Sequence, residues 1–293
     1  MKTWAPYLVL LVVSAIWGAH AVVGVAALRA LSPLALSAWR YAFTAVLFAP
    51  ALVAAAKRLH HLTLSDGLLL LIASLSSAVF YPLFYYRSLA VLPPVESLLI
   101  VNAAPVLTAL FAYFFYRERL SKRQVIGLVI ALLGVVVISL QAATRGTQSL
   151  EVIFDAVIGT AAFALYSVVS RKLYMRLPLF DVLAVTSFVG AIFLWLIVLF
   201  THTWSVATAL ETLRVGEWLS LLFIVLFVST IAYILYGFGL ARVPGAVSAA
   251  LTFYPQPLFA AILQWIWLGK AVTLLTVIGG AIILTGSFVL RRS

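Results

Sequence analysis

The fold of this chain follows from residues 89–134, which read LAVLPPVESLLIVNAAPVLTALFAYFFYRERLSKRQVIGLVIALLG. A hydrophobic helix begins after a proline pair, carries Asn102 and Pro105 in its middle, and ends at the charged turn RERLSKR. A second hydrophobic helix, punctuated by glycines, follows. The same layout returns at residues 240–286, where Pro257 matches Pro105 and the glycines recur at the same offset. This spacing indicates that the chain is an internal duplication.

The composition indicates an integral membrane protein. Of the 293 residues, 65% are hydrophobic and 9% are charged, whereas a soluble domain carries roughly 25% charge. The net charge of +11 does not indicate a nucleic-acid partner, because the basic residues lie in short turns between hydrophobic runs. The chain lacks cysteine, its four histidines lack metal-ligand spacing, and no G-x-x-x-x-G-K-[ST] loop is present. We therefore expect no metal, no cofactor and no catalytic residue.

Hydropathy and charge predict the topology. A span needs about 20 apolar residues, and the sequence offers runs at 5–28, 33–56, 66–90, 94–116, 122–141, 152–174, 179–201, 217–240, 244–267 and 271–290. A cytoplasmic N-terminus places thirteen of the 19 Lys and Arg residues on the cytoplasmic side and five on the other, so both termini are predicted to be cytoplasmic.

The duplication predicts how the two copies are arranged. Each copy has five helices, and because five is odd, the second copy enters the membrane in the opposite direction. We predict an all-α integral membrane protein of ten transmembrane helices, built as two inverted five-helix repeats at residues 1–145 and 146–293. Inverted repeats are typical of secondary transporters.

The layout resembles the EamA-type repeat of the drug/metabolite transporter superfamily over essentially the whole chain. The matching segments are AIWG (15–18), WRY (39–41), residues 89–134 with their echo, AFALY (162–166) and SRKL (170–173). One departure is Glu118: the family usually carries an acid after helix 4, but the counterpart after helix 9 is Lys270. The resemblance implies a multi-pass exporter of small organic metabolites in a bacterial inner membrane, most similar to exporters of amino acids, aromatic ones in particular.

Polar and aromatic side chains at mid-depth form the predicted substrate site, because polar groups inside a membrane tend to face water or other helices. Side chains three or four residues apart share one helix face, which groups several of these residues into stripes. The predicted substrate-binding residues are Trp17, His20, Tyr81, Tyr85, Asn102, Tyr166, Tyr254 and Gln256. A purely structural interpretation stays open for each, as core packing or helix–helix contact.

Four prolines within the predicted spans are candidate hinges. Proline removes a backbone donor and clashes with the carbonyl one turn back, so it bends or breaks a helix. We assign the hinges to Pro82, Pro105, Pro255 and Pro257.

Most charged residues within or beside the spans are expected to have structural roles. Three carboxylates are expected at helix starts, where they meet the positive end of the helix dipole: Asp66, Asp155 and Asp181. Arg40 is expected either to extend toward the outer interface or to pair with Glu96. No strong fixed charge is expected at the substrate site, which argues against phosphorylated sugars as substrates.

The function expected from the sequence is export by alternating access, with a small-molecule substrate and the lipid bilayer as partners. A broad drug or nucleobase exporter is the alternative. A channel would need a continuous polar pathway and an intramembrane enzyme a nucleophile or metal cluster; neither is evident, so we predict that the protein is not an enzyme. Glycines in helices 5 and 10 allow close helix packing, either as scaffold or in a possible homodimer.

Overall fold

The computed structural model describes residues 4–116, 121–144, 147–240, 242 and 252–291. These residues are almost entirely helical, which confirms the all-α prediction. We number the α-helices in chain order: α1 (Ala5–Ala27), α2 (Pro33–Leu59), α3 (Leu64–Ser74), α4 (Tyr81–Leu89), α5 (Pro94–Val101), α6 (Ala104–Tyr116), α7 (Lys122–Ala143), α8 (Thr147–Tyr174), α9 (Leu179–Phe200), α10 (Ser205–Thr208), α11 (Val215–Phe223), α12 (Ala232–Leu240), α13 (Gln256–Leu268) and α14 (Leu274–Arg291).

Within the described residues, seven helical stretches are long and apolar enough to cross a membrane: Ala5–Ala27, Pro33–Leu59, Leu64–Leu89, Pro94–Phe115, Glu151–Tyr174, Leu179–Phe200 and Val215–Gly239. Three apolar helical stretches are shorter: Val125–Gln141, Gln256–Leu268 and Leu274–Gly286. The chain is therefore a multi-pass membrane protein, while the count of ten spans and the cytoplasmic termini stay predictions. Three sequence features lie outside the described residues: part of the predicted ninth span (243–251), the turn with Glu118 (117–120), and the predicted repeat boundary (145–146).

Local sequence sets where several helices begin and end. Ser32 caps α2 by accepting a hydrogen bond from the Ala35 N–H at 3.1 Å, and Pro33 follows at the first helical position. Thr63 caps α3 in the same way. Helix α13 ends at Gly269, whose φ of 62° is left-handed and therefore favours glycine.

Two spans contain a π-helical segment, in which hydrogen bonds run from residue i to i+5. The first, Leu75–Phe80, joins α3 to α4, and the second, Ile224–Ile231, joins α11 to α12. The second begins 149 positions after the first, close to the offset of the duplication. Each copy thus carries the same irregularity in its third span. Such π segments are often found at functional sites.

The helix geometry is irregular near the prolines that the sequence marked as hinges: the helix is broken near Pro105 and Pro255, and it is π-helical just before Pro82. Helix α5 ends at Val101 and α6 begins at Ala104, so Pro105 lies in the first turn after a break. Pro255 immediately precedes α13, with Pro257 in its first turn. Pro82 follows the first π segment. Their role as moving hinges stays a prediction.

Helices α7 and α14, which correspond to the predicted helices 5 and 10, pack directly against each other. A Cβ atom placed on Gly134 would lie 2.7 Å from the Gly279 carbonyl oxygen. Only glycine allows so close an approach between two backbones. The contact joins the two copies of the repeat and fits the scaffold assignment, whereas the possible homodimer stays a prediction.

Ion pairs also link the two copies. Arg58 donates two 2.8 Å hydrogen bonds to the carboxylate of Asp181, and Arg176 donates one to Asp66 at 2.8 Å. All four residues belong to the cytoplasmic side of the predicted topology. Each arginine is about half exposed, so each pair contributes modestly to stability.

A third ion pair corrects one expectation for the acidic residues. Asp66 and Asp181 lie in the first turns of α3 and α9, as expected. Asp155 does not begin a helix, because α8 starts at Thr147 and places it in the third turn. Its Oδ2 instead lies 3.0 Å from Arg87 Nε, an ion pair without the alignment of a hydrogen bond.

Candidate functional site

A cavity lies where the two copies of the repeat meet. Its free volume is about 10 Å³, the room of a single water molecule. Both copies contribute to its lining, which consists of Trp17, His20, Arg40, Tyr81, Leu98, Val101, Phe163, Val228, Tyr233, Phe253 and Gln256. The cavity must therefore widen before an organic molecule can enter.

Aromatic rings form one wall of the cavity. The Trp17 ring lies 5.8 Å from Phe163 edge-on, 5.6 Å from Tyr233 and 6.3 Å from Phe253, measured between ring centroids. Tyr81 lies 5.0 Å from Phe163. These separations are those of attractive ring pairs. Trp17 can sit this close to the second copy because the adjacent Gly18 carries no side chain: a Cβ there would lie 2.7 Å from the Gln256 carbonyl oxygen.

Arg40 of α2 is the centre of the polar wall and is completely buried. Its Nε donates a 2.6 Å hydrogen bond to Ser229 in the second π segment, and its Nη1 donates a 2.9 Å bond to the Tyr86 hydroxyl. The same hydroxyl lies 2.9 Å from His20 Nε2. The Tyr86 hydroxyl can therefore accept a hydrogen bond from Arg40 while it donates one to His20 Nε2. Arg40, Tyr86 and His20 form one hydrogen-bonded chain.

This position of Arg40 corrects two expectations. The side chain does not extend to the outer interface, and among the described residues it makes no ion pair, with Glu96 or otherwise. The central cavity, where the sequence predicts the substrate site, is also not free of strong fixed charge, since a guanidinium lines it. The physical reason is Ser229, whose hydroxyl holds Arg40 inward from 189 positions away in the sequence.

The residues beside Arg40 fix its orientation. Trp39 Nε1 donates to the Val206 carbonyl at 2.8 Å, and the Tyr41 hydroxyl donates to the Ser77 carbonyl in the first π segment at 2.8 Å. Arg40 itself binds the second π segment. The WRY segment of α2 is thus anchored on both sides, which leaves Arg40 little freedom to turn away from the cavity.

Glu96 belongs to a separate polar cluster. It lies in the first turn of α5 and is buried. Gln141 Nε2 and Thr276 Oγ1 each lie 3.1 Å from its Oε1 and donate to it. Glu96 borders a second cavity, of about 70 Å³, together with Gln264 and Lys270. This cluster ties α5 to α7 and α14.

The structure brings four of the eight predicted substrate-binding residues into the cavity lining: Trp17, His20, Tyr81 and Gln256. Tyr85 lies directly behind, stacked on Tyr81 at 5.6 Å, and Tyr166 lies behind Phe163 and Tyr233.

The remaining two predicted residues, Asn102 and Tyr254, are not among the lining residues. Tyr254 packs against the buried hydrophobic cluster that contains Trp17, Phe163 and Phe253. Asn102 is fully buried at the break between α5 and α6, and neither atom of its side-chain amide has a hydrogen-bond partner among the described residues.

Several lining residues were not predicted from the sequence. Phe163 lies three positions before Tyr166, so helical periodicity could have placed it on the same face. Phe253 adjoins the predicted Tyr254. Leu98, Val101 and Val228 carried no signal, because an aliphatic residue in a membrane helix looks the same whether it faces a cavity, a neighbour or lipid.

Two helical halves that meet at an aromatic cavity, with seven long apolar helices among the described residues, are the architecture of a membrane transporter. The chain belongs to the EamA-like transporter family, whose sequence profile matches residues 4–140 and again residues 151–292. The resemblance to the drug/metabolite transporter superfamily is thereby confirmed. Members of the family are transporters, so the prediction that the protein is not an enzyme is confirmed as well.

Individual relatives agree with this family. The chain is 28% identical to the uncharacterized transporter YetK of Bacillus subtilis, over 98% of this chain and 87% of YetK. It is 26% identical to the uncharacterized transporter YyaM of the same organism, over 69% of this chain and 66% of YyaM. It is also 27% identical to a protein of Streptantibioticus cattleyicolor described as a probable terminal-alkyne amino-acid exporter, over 66% of this chain and 63% of that one. In the last two cases the alignment spans just under two thirds of the relative.

The fold also matches a solved crystal structure. The TM-score is 0.65 at 20% sequence identity, and the match covers 98% of this chain and 96% of the other. At this level of identity the likeness concerns the fold alone.

Proposed function

We propose that the protein exports small organic metabolites across the bacterial inner membrane, that these are amino acids, and that aromatic ones are preferred. The observation that carries the proposal is the cavity between the two copies, where rings from both sides face a small polar cluster. An aromatic lining suits the apolar part of such a substrate. The relative described as a probable amino-acid exporter supports the same class.

The transport mechanism in this proposal is alternating access. Two five-helix repeats of opposite orientation can exchange conformations and open a central site first to one side and then to the other. The cavity volume of about 10 Å³ supports this, because such a site must open before a solute can enter. The irregular helix segments around Pro82, Pro105, Pro255 and Pro257 are the hinges in this scheme.

The residues divide into two roles. Trp17, Tyr81, Tyr85, Tyr166 and Tyr254 provide the aromatic surface. The polar end of the substrate is bound by His20, Asn102 and Gln256. Asn102 and Tyr254 would join the site only as the cavity widens, because they are not in its present lining.

Counterflow in proteoliposomes tests this function. We expect external radiolabelled L-phenylalanine or L-tryptophan to accumulate in vesicles preloaded with the same amino acid. A change of rate under an imposed pH gradient would indicate coupling to protons. Trp17→Ala should reduce counterflow by roughly tenfold, since it removes the ring at the centre of the aromatic wall.

The outcome separates this proposal from its alternatives. Accumulation of nucleobases or hydrophobic drugs, without amino acids, would point to a broad drug or nucleobase exporter. Ohmic single-channel currents in planar bilayers would point to a channel. A Trp17→Ala variant that transports as fast as the unmodified protein would contradict the placement of the site.

A further inference from the structure

We propose that Arg40 is the anchor for a carboxylate of the substrate, so that the transported molecules are monoanionic organic acids or amino acids that bind through their carboxylate. The inference rests on the proposed function, because it treats the central cavity as the substrate site. It goes beyond that function by naming the charged group which a substrate must carry and the side chain that recognises it.

The hydrogen bonds of Arg40 leave part of its guanidinium unused. Nε is bound to Ser229 and Nη1 to Tyr86. Nη2 is buried and has no hydrogen-bond partner among the described residues. A guanidinium carries five N–H donors in a fixed plane. The two bonds orient that plane and leave Nη2 without a partner, in a side chain that lines the cavity.

The charge of Arg40 is not neutralised within the described part of the chain. A buried cation without a counter-ion is costly in a membrane interior. The described residues that line the cavity include no Asp and no Glu, and Glu96, the partner considered from the sequence, accepts hydrogen bonds from Gln141 and Thr276 in another cluster. The site therefore favours a ligand that carries an anionic group over one that carries none.

A carboxylate fits this arrangement better than a phosphate. The planar fork of arginine matches the geometry of a carboxylate, and a charge-assisted hydrogen bond is roughly twice as strong as a neutral one. A phosphate dianion would call for further cations, but Arg40 is the single Arg and no Lys is present among the described lining residues. The surrounding rings of Trp17, Phe163 and Phe253 suit an apolar body attached to one carboxylate.

Arg40 could instead serve only to tie α2 to the second π segment. Its bond to Ser229 ties α2 to that segment, and its bond to Tyr86 ties α2 to α4. A purely structural role leaves the positive charge of a cavity-lining side chain without a counter-charge, and it predicts no preference between acids and their amides. This difference makes the two roles separable by experiment.

The first measurement uses the unmodified protein and two matched pairs of ligands. Thermal unfolding of the purified protein in detergent is followed at neutral pH with L-phenylalanine against L-phenylalaninamide, and with 3-phenylpropanoate against 3-phenylpropanamide. We expect the acids to raise the Tm at concentrations at least about tenfold below those at which the amides do, as expected for loss of a hydrogen bond to a charged group. Equal stabilisation by the amides, or no stabilisation by either acid, would overturn the inference.

Variants then assign the preference to Arg40. Arg40→Gln removes the charge and should abolish the difference between acid and amide, whereas Arg40→Lys keeps the charge and should retain part of it. Arg29→Gln is the matched control, because Arg29 is exposed in the turn after α1 and lies outside the cavity. A preference that survives in Arg40→Gln would overturn the assignment. If Arg40→Gln does not fold, the comparison of acids with amides, in the unmodified protein and in Arg40→Lys, still distinguishes carboxylate binding from a structural role.

Counterflow separates failure of this inference from failure of the proposed function. If L-phenylalanine is transported and its amide competes equally well, the inference fails while amino-acid export stands. If the acids bind through Arg40 but no amino acid is transported, the inference stands while amino-acid export fails.

Discussion

At the scale of single residues, Tyr86 connects the two polar groups of the cavity. Its hydroxyl accepts from Arg40 Nη1 on α2 and contacts His20 Nε2 on α1, both at 2.9 Å. One hydroxyl thus couples the orientation of a cation to that of an imidazole. A ligand that draws Arg40 toward itself would therefore also disturb His20. The polar wall acts as one unit, not as three independent side chains.

Asn102 gives the sharpest residue-level prediction. Its amide is buried without a partner among the described residues, and a buried unsatisfied polar group costs about 1–3 kcal/mol. Asn102→Ala should therefore leave the Tm in detergent unchanged or raise it. If the amide binds substrate in the open state, counterflow should nevertheless fall by about tenfold.

Ser139→Ala serves as the control for Asn102→Ala. It removes a hydroxyl that bonds only within α7, to the Val135 carbonyl at 2.8 Å. Full counterflow activity in Asn102→Ala would contradict the assignment of Asn102 to the substrate site.

Trp17, His20 and Arg40 show which features of the cavity could be predicted from the sequence. Trp17 and His20 were predicted because helical periodicity is local: three positions along one helix suffice to place both on one face. Arg40 was recognised as a charge within a span, but its direction depends on Ser229 in the other copy. No local pattern reports a contact across 189 positions. Local geometry was therefore predictable, and contacts between the copies were not.

At the scale of helices, glycine sets how closely the spans approach. Helices α7 and α14 touch through Gly134 and Gly279, and α1 approaches α13 at Gly18. The sequence marked the first pair by its regular glycine spacing. It did not mark the π segments, because an extra residue within one helical turn leaves hydropathy unchanged.

Adding one methyl group at Gly134 tests the helix contact. A Cβ there would lie 2.7 Å from the Gly279 carbonyl and equally close to the Ile283 backbone nitrogen, so the helices must separate. We expect Gly134→Ala to destabilise the protein by about 1–3 kcal/mol, seen as a lower Tm in detergent.

The matched control is Gly67→Ala in α3, where an added Cβ meets nothing within 4 Å. Alanine there should be neutral or stabilising by up to about 1 kcal/mol, through its higher helix propensity. Equal Tm values for the two variants would contradict close packing of α7 on α14.

At the scale of the whole molecule, three ion pairs between described residues join the two copies. In the predicted topology Arg58–Asp181 and Arg176–Asp66 lie on the cytoplasmic side, while Arg87–Asp155 lies on the other. The duplication itself was predictable, and the family profile matches the chain twice. Which charges meet across the copies was not, because each pair joins residues from different halves.

The ion pairs predict which side opens when they are removed. The chain contains no cysteine, so one cysteine introduced at Val228 in the cavity lining reports access without further changes. The double variant Asp66→Asn with Asp181→Asn should raise the labelling rate of this cysteine a few-fold from the cytoplasmic side. The increase is small because each of the two lost ion pairs, with its half-exposed arginine, contributes only about 0–1 kcal/mol. A membrane-impermeant maleimide on inside-out and right-side-out vesicles measures this.

The opposite pair completes that experiment. Asp155→Asn should raise labelling from the outer side instead, and Val228→Cys with all pairs intact gives the baseline. Labelling that increases from the same side in both cases would contradict alternating access controlled by these pairs.

The two π segments bear on which insertions and deletions this chain can tolerate. An α-helix advances about 100° per residue, whereas a π segment, with hydrogen bonds from residue i to i+5, needs about one more residue for the same turn. Deleting one residue from Leu75–Phe80 would therefore restore α geometry and leave the orientation of the following helix, and of Tyr81 at its start, nearly unchanged. The same holds for Ile224–Ile231 and Tyr233. A deletion in a regular α-helical part of the same spans would instead rotate the side chains beyond it by about 100° and lose the site, so the π segments are the positions where each span can lose one residue and keep its cavity face.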